Sequence, residues 1–222
     1  LLLSSAASDV YKRQGYNNPR PNALCPGTFS LERHRLLWLY LNNELDISNR
    51  ALNVLHVAPA QVFLKKFKSI KDWTYTAIDL NSPLADIKAD LCDLPFKDKT
   101  YDLILCNHVL EHIIDDIKAM REIYRVLKPG GKAVLQVPIN FKNKKSYEDY
   151  NITSPRERNQ HFGQYDHVRV YGIDFFDRLS SVGFNSKKID YTSKLSDSEI
   201  LKYGLIKGET VSYTHLRAHE TS

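Results

Sequence analysis

The sequence predicts an α/β fold, a doubly wound and mostly parallel sheet with helices on both faces. Two observations carry this. Between Asp90 and Pro138 come a short apolar run (Tyr101–Cys106), a helical pattern (Asp115–Leu127), a Lys-Pro-Gly-Gly stop and a second apolar run (Ala133–Val137). Strand, helix, strand in that rhythm is one βαβ unit of a parallel sheet. Upstream, the runs Thr74–Ile78 and Ile87–Ala89 each lead into an aspartate, Asp79 and Asp90. Open α/β sheets bind ligands at that carboxyl edge.

The elements follow in order. Residues 15–28 are rich in Gly, Pro and Asn and read as loop. Ser30 is the expected cap of a helix over 31–45, in which Leu31, Leu37, Trp38 and Leu41 recur near helical spacing. Leu52–Val57 is the first sheet strand, followed by a helix around Val62–Ser69 and the strands at 74–78 and 87–89. The βαβ unit supplies strands four and five. Residues 140–168 form a polar insert too long for a structureless loop in a compact domain, and so read as a lid or substrate-binding element. Ile173–Ser181 is a helix stopped by Gly183, Phe184–Ile189 is strand six, and Ser196 with Glu199 opens a short helix to Tyr203.

A chain of 222 residues, 42% hydrophobic and 26% charged, has the composition of one ordinary globular domain. No run reaches the roughly 18 apolar residues of a membrane span. The net charge of +5 is spread along the chain, which permits an anionic partner without requiring one. Three cysteines (Cys25, Cys92, Cys106) argue against a disulfide framework and for a reducing, cytoplasmic setting. Residues 1–14 and 211–222 resemble translated sequencing-adapter sequence and are expected to stand outside the fold; the other reading of the first end, a secretory signal, lacks a basic n-region and a longer apolar stretch.

Asp93 before Leu94-Pro95-Phe96, the Asp102-Leu-Ile-Leu105 strand, Leu110-Glu111-His112 and Leu127-Lys-Pro-Gly-Gly131 occur in an order that resembles class I S-adenosylmethionine-dependent methyltransferases of the methyltransferase type 11 kind. The resemblance implies a Rossmann-like sheet of about seven strands, closed by an antiparallel strand near Lys207–Thr210. It also implies S-adenosylmethionine as cofactor. The expected organisation is a leader (1–14), a loop and helix covering the cofactor mouth (15–50), the methyltransferase domain (51–210) and a tail (211–222).

The same resemblance assigns the cofactor residues. His56 stands where the family has an acid, and Ala58 and Ala60 stand where it has glycines, so the first turn keeps small side chains but loses the freedom to adopt positive φ. Asp79 lies near the spacing of about 20 residues at which a dinucleotide fold places its ribose-binding carboxylate. Asp90 takes the position that accepts the adenine amino group, with the backbone of Leu91 against the ring. Leu80 and Asn107 complete the expected pocket with His56, Ala58, Asp79, Asp90 and Leu91.

His108-x-x-Glu111-His112 matches an inverted zincin string, but it begins at a strand end rather than within a continuous helix. Some similar O-methyltransferases bind a divalent cation with Glu-x-x-Glu-His; His108 replaces the first Glu here, and no metal is expected. Cys25-Pro-Gly-Thr28 resembles half a zinc knuckle without the ligands to complete one. The segment His161–Tyr171 gathers Tyr165, His167 and Arg169 at the end of the insert and just past it. His112, His167 or Tyr165 is the expected base toward an oxygen acceptor, with Arg169 on the acceptor side.

The functional expectation is therefore in-line methyl transfer from S-adenosylmethionine to a small or medium acceptor, by a monomer or weak dimer without nucleic acid or membrane partners. A methyltransferase-like cofactor-binding protein without turnover is the alternative that the glycine-poor first turn favours. An RNA methyltransferase draws on the positive charge, but the chain lacks an appended RNA module or an Asn/Asp-Pro-Pro-Tyr motif.

Overall fold

A computed structural model describes residues 12–14, 20–207 and 213–218. In chain order the elements are β1 (Lys12–Gln14), β2 (Arg20–Leu24), α1 (Glu32–Leu45), β3 (Leu52–Val57), α2 (Gln61–Lys68), β4 (Trp73–Asp79), β5 (Ile87–Lys88), β6 (Tyr101–Asn107), α3 (Asp116–Val126), β7 (Leu127–Gln136), β8 (Tyr147–Glu148), α4 (Pro155–Phe162), β9 (Arg169–Val170), α5 (Phe175–Ser181), β10 (Phe184–Ile189), α6 (Asp197–Lys202) and β11 (Tyr213–Ala218). They form two compact units: the described residues up to Arg50 together with Asp190 to Lys207, and Ala51–Ile189 together with β11. One division between the units falls between Arg50 and Ala51, and another between Ile189 and Asp190.

In the smaller unit the Arg35 side chain of α1 is fully buried and donates to the carbonyls of Ala23, Ser30, Tyr203 and Gly204. Those hydrogen bonds satisfy the guanidinium and tie β2, the turn before α1 and the end of α6 together. Ser30 does not cap α1 as expected. Its hydroxyl lies 2.8 Å from that of Thr28, and the Nδ1 atom of His34 accepts the Leu31 N–H at 3.3 Å. The predicted capping box at Ser196 and Glu199 is present at the start of α6.

The larger unit is built on a seven-stranded sheet in the order β10-β11-β7-β6-β3-β4-β5. The strands β5, β4, β3, β6 and β7 pair in parallel, while β11 pairs antiparallel with both β7 and β10. This is a doubly wound α/β sheet of the Rossmann-like kind. Successive side chains alternate faces: Leu55 and Val57 join the core cluster with Ala119, Met120 and Ile123 of α3 and Phe175 and Leu179 of α5. His56, between them, lies instead with Phe63 and Phe67 of α2.

The closing strand is a correction. Of the expected span Lys207–Thr210, residues 208–210 lie outside the described residues, and the strand is Tyr213–Ala218, within the segment expected to stand outside the fold. Its register runs from Tyr213 opposite Gln136 to Arg217 opposite Lys132 on one side, and from Phe184 opposite Ala218 to Ile189 opposite Tyr213 on the other. A ladder needs backbone groups rather than particular side chains, and both β7 and β10 would otherwise present open edges.

The Lys-Pro-Gly-Gly run also differs from expectation. Strand β7 begins directly after α3, and the run forms a bulge, since Tyr101 pairs with Leu127 but Leu103 with Lys132. Gly130 has φ 73°, and a Cβ on Gly131 would meet the Lys128 carbonyl at 2.8 Å, so both glycines are required. β8, within the insert, pairs with β9 just after it, and α4 lies between them in the chain. No helix among the described residues is long and apolar enough to cross a membrane.

Candidate functional site

Because β3, β4, β5 and β6 run parallel, their carboxyl ends fall on one edge of the sheet. Ala58 follows β3, Asp79 ends β4, Asp90 follows β5 and Asn107 ends β6. Ala58 adopts φ 45° and donates its N–H to the Ile78 carbonyl at 2.7 Å. The turn therefore keeps its glycine-like course without a glycine, at a cost of about 1–2 kcal/mol. The Asp79 Oδ1 atom accepts from the backbone of Asn81 and Ser82, both at 2.7 Å, and the Asp90 Oδ1 accepts from Cys92 at 2.8 Å. Each carboxylate folds its own loop with one oxygen. Leu80 is exposed, while the Leu91 side chain is buried in the core and only its backbone is a candidate contact. Asn107 stands opposite Gln136 in the β6–β7 register, and the Asn107 Oδ1 and Gln136 Nε2 atoms are both buried without a hydrogen-bond partner.

His56 is not part of this edge. It is 2% exposed, its Nδ1 lies 3.0 Å from the Tyr75 hydroxyl, and burial pushes its pKa down to about 3. The pleat turns it under α2, so it is a neutral core side chain rather than a cofactor ligand.

Beyond β6 the chain turns sharply. His108 has φ 57° and donates its backbone N–H to the Gln136 carbonyl at 2.7 Å. Leu110–His112 is a single 3₁₀ turn, not the continuous helix that an inverted zincin would need. Glu111 is 2% exposed; its Oε1 lies 3.3 Å from the His108 Nδ1, and its Oε2 has no hydrogen-bond partner. The Val168 N–H donates to the Glu111 carbonyl at 3.0 Å and brings the end of the insert alongside. His112 and His167 then meet edge to face, with ring centroids 4.7 Å apart. His112 Nδ1 lies 3.3 Å from both the carbonyl and the carboxylate of Asp166, and His167 Nδ1 lies 3.3 Å from the Phe162 carbonyl. Burial lowers the His167 pKa, against a smaller opposing pull from Glu111. One donor atom each of Glu111, His112 and His167 lies within 4.8 Å of the others.

Arg169 has a different task from the one expected. It is 1% exposed and donates to the carbonyls of Leu110 at 2.9 Å, Ile114 at 2.7 Å and Ile113. It cannot reach an acceptor, and it fixes the backbone on both sides of Glu111 and His112. Asp116, also buried, accepts from the Tyr171 hydroxyl at 2.7 Å and from Arg178 at 3.0 Å, while Glu148 pairs with Arg178. This network pins the β8–β9 ribbon to the start of α3. Tyr165 is 51% exposed on the loop before His167.

The expected cofactor and catalytic sets include neither Glu111, which enters only through the zincin string and the Glu-x-x-Glu-His pattern, nor Gln136. The signals were present as an acid inside the quoted Leu-Glu-His motif and a lone polar residue closing an apolar strand. The Asp116, Glu148 and Arg178 partnership had no local signal, because its members are far apart in the chain.

Residues 45–135 match the family model described as a methyltransferase domain. Among curated proteins, an uncharacterized protein of Methanocaldococcus jannaschii is 51% identical over 51 residues, 23% of this chain and 22% of its own length. The chloroplastic 2-phytyl-1,4-beta-naphthoquinone methyltransferase of Arabidopsis thaliana is 44% identical over 46 residues, 21% of this chain and 18% of its own. The ubiquinone/menaquinone biosynthesis C-methyltransferase UbiE of Escherichia coli O1:K1 / APEC is 38% identical over 69 residues, 30% of this chain and 28% of its own. The chain thus spans under a third of the length of these relatives. Among solved structures, the Burkholderia thailandensis 1,6-didemethyltoxoflavin-N1-methyltransferase, with its substrate and S-adenosylhomocysteine bound, superposes with a TM-score of 0.53 at 17% identity, covering 86% of this chain and 79% of its own. The [4+2]-cyclase SpnF gives a TM-score of 0.57 at 16% identity, covering 99% and 93%. The fold is that of the class I methyltransferases.

Proposed function

We propose that this methyltransferase domain transfers a methyl group from S-adenosylmethionine to a small-molecule acceptor. The observation that carries the reading is the meeting, at the carboxyl edge of one parallel sheet, of the Asp79 and Asp90 carboxylates, the αL turn at Ala58 and the unpartnered Asn107 Oδ1. That edge fits the cofactor. Asp79 suits the ribose hydroxyls, Asp90 and the Leu91 backbone suit the adenine, and the small Ala58 lets a ligand approach the chain closely. When bound, S-adenosylmethionine supplies an electrophilic methyl group on a sulfonium.

The chain's own residues then have to align a nucleophile, exclude water and take up a proton. His112 and His167 suit the last task, since their Nδ1 atoms face carbonyl oxygens and a neutral ring holds its lone pair at the other nitrogen. Tyr165, exposed on the same loop, belongs to the acceptor side. The small acceptor is supported by the similarity to the naphthoquinone, ubiquinone/menaquinone and toxoflavin methyltransferases. A cytoplasmic location is supported by the free thiols of Cys25, Cys92 and Cys106. A monomer or weak dimer completes the reading.

The test is calorimetric titration with S-adenosylhomocysteine, followed by its release from S-adenosylmethionine in the presence of pooled hydroxylated and amine acceptors. Asp79→Ala should weaken cofactor binding by about 1.5–3 kcal/mol, the range for a hydrogen bond to a charged group. Unchanged affinity in a folded variant would remove Asp79 from the site.

A further inference from the structure

We propose that Gln136 selects the acceptor, donating a side-chain N–H to an uncharged oxygen, carbonyl or hydroxyl, that the acceptor carries near its methylated atom. The inference rests on the methyl-transfer reading and deepens it at one residue.

The first observation is position. Along the sheet the strands lie in the order β5, β4, β3, β6 and β7. The residues that suit the cofactor keep that order, with Asp90 after β5, Asp79 ending β4, Ala58 after β3 and Asn107 ending β6. A cofactor laid along this edge, adenine at Asp90 and ribose at Asp79, has its methionyl end toward β6. The first strand past these anchors is β7, which ends in Gln136. Gln136 is the register partner of Asn107 in a parallel ladder. Both side chains therefore leave the same face of the sheet, on strands about 4.8 Å apart.

The second observation is the condition of Gln136. The residue is 2% exposed, and its Nε2 has no hydrogen-bond partner. It stands between buried Leu135 and Val137 in an apolar run, where an apolar side chain carries no unmet donor. Three further unmet atoms belong to the same junction: Asn107 Oδ1, His108 Nε2 and Glu111 Oε2. His108 connects them, since its backbone N–H donates to the Gln136 carbonyl and its Nδ1 lies 3.3 Å from Glu111 Oε1. A polar group that the fold leaves unmet gives a site its discrimination, because a ligand without the matching atom leaves it unpaired.

Charge chooses the kind of oxygen. An amide nitrogen only donates, so its partner on the acceptor must bring a lone pair. The buried Glu111 carboxylate at the same junction disfavours an anion, so a carboxylate is rejected and a carbonyl or hydroxyl is taken. Gln136 has no part in the proton transfer, which stays with His112 and His167.

The experiment compares the full chain with Gln136→Met, which keeps the length of the side chain and removes the amide. Thermal unfolding, calorimetric titration with S-adenosylhomocysteine, and release of S-adenosylhomocysteine from S-adenosylmethionine are measured on both. The release assay uses phenols and amines in three sets: with a neutral carbonyl or second hydroxyl, with a carboxylate, and with neither. The parent should prefer the first set. Gln136→Met should unfold at a higher temperature, bind S-adenosylhomocysteine as the parent does, and lose about tenfold in kcat/KM, through KM, for the first set alone. A lower midpoint would make the amide a structural partner, and weaker S-adenosylhomocysteine binding would move it to the cofactor. No preference for the first set in the parent, or the same preference in the variant, would show that Gln136 does not meet the acceptor. Each of these overturns the inference while the methyl-transfer reading stands. A parent that releases no S-adenosylhomocysteine with any set removes that reading, and the inference with it.

Discussion

The rings of His112 and His167 stand edge to face with centroids 4.7 Å apart, one on the turn that follows β6 and the other at the end of the insert. Their meeting joins the segment that closes the cofactor edge to the segment expected to face the acceptor. His112→Ala and His167→Ala should therefore lower turnover by roughly 10²–10⁴-fold, the span of a lost acid–base group, with cofactor affinity near that of the parent. Steady-state rates set beside calorimetric cofactor titration make the comparison. Loss of cofactor binding in both variants would put this pair on the wrong side of the site.

Arg169 acts through backbone geometry. Replacing it with Leu would remove the donors to three carbonyls and leave Asp116 and Glu148 with one fewer cationic neighbour. Breaking a buried charged partnership in this way costs about 3–5 kcal/mol. Urea unfolding of Arg169→Leu should show that loss, whereas a direct role in binding acceptor would appear as a changed KM with stability intact.

The parallel strands were legible because they are short apolar runs closed by polar residues, and Leu52–Val57 is a strand over just the residues read from the sequence, as is the antiparallel edge strand Phe184–Ile189. The edge aspartates were legible for the same reason, since a strand end fixes where its last residue lies. Direction was harder. The resemblance places His56 in the first strand but does not say which face it takes, and the pleat puts it under α2 among aromatic rings. Arg169 was misread because a His-x-Arg pattern does not reveal that the guanidinium turns inward to carbonyls far away in the chain. The closing strand escaped because unfamiliar composition says nothing about backbone pairing.

That strand gives a prediction opposite to the one its composition suggests. A chain ended at Lys207 lacks β11, which separates β7 from β10 and pairs with both. Each lost ladder bond is worth about 0.5–1.5 kcal/mol, and two strand edges would be opened at once. The urea midpoint should fall and concentration-dependent light scattering should rise. Equal midpoints for the two chains would show that β11 contributes nothing to the sheet.

His56 should make stability depend on pH in a definite direction. Its folded pKa is pushed down to about 3 by burial, from an ordinary value of 6.5. Above 6.5 the ring is neutral in both folded and unfolded chains, and its contribution is fully present. As the pH falls below 6.5 the unfolded chain gains a proton that the folded chain refuses, so stability is lost progressively down to about 3. At pH 5 the loss is about 2 kcal/mol, from one and a half pH units at about 1.4 kcal/mol each. His56→Phe keeps an aromatic ring beside Phe63, Phe67 and Tyr75 and removes the titration, at the cost of the Tyr75 hydroxyl contact. Between pH 7 and pH 5 the variant should therefore lose about 2 kcal/mol less than the parent, because the other titrating groups are common to both and cancel in the difference. Parallel stability profiles for the two proteins would mean that the ring is protonated, or reaches water, in the folded state.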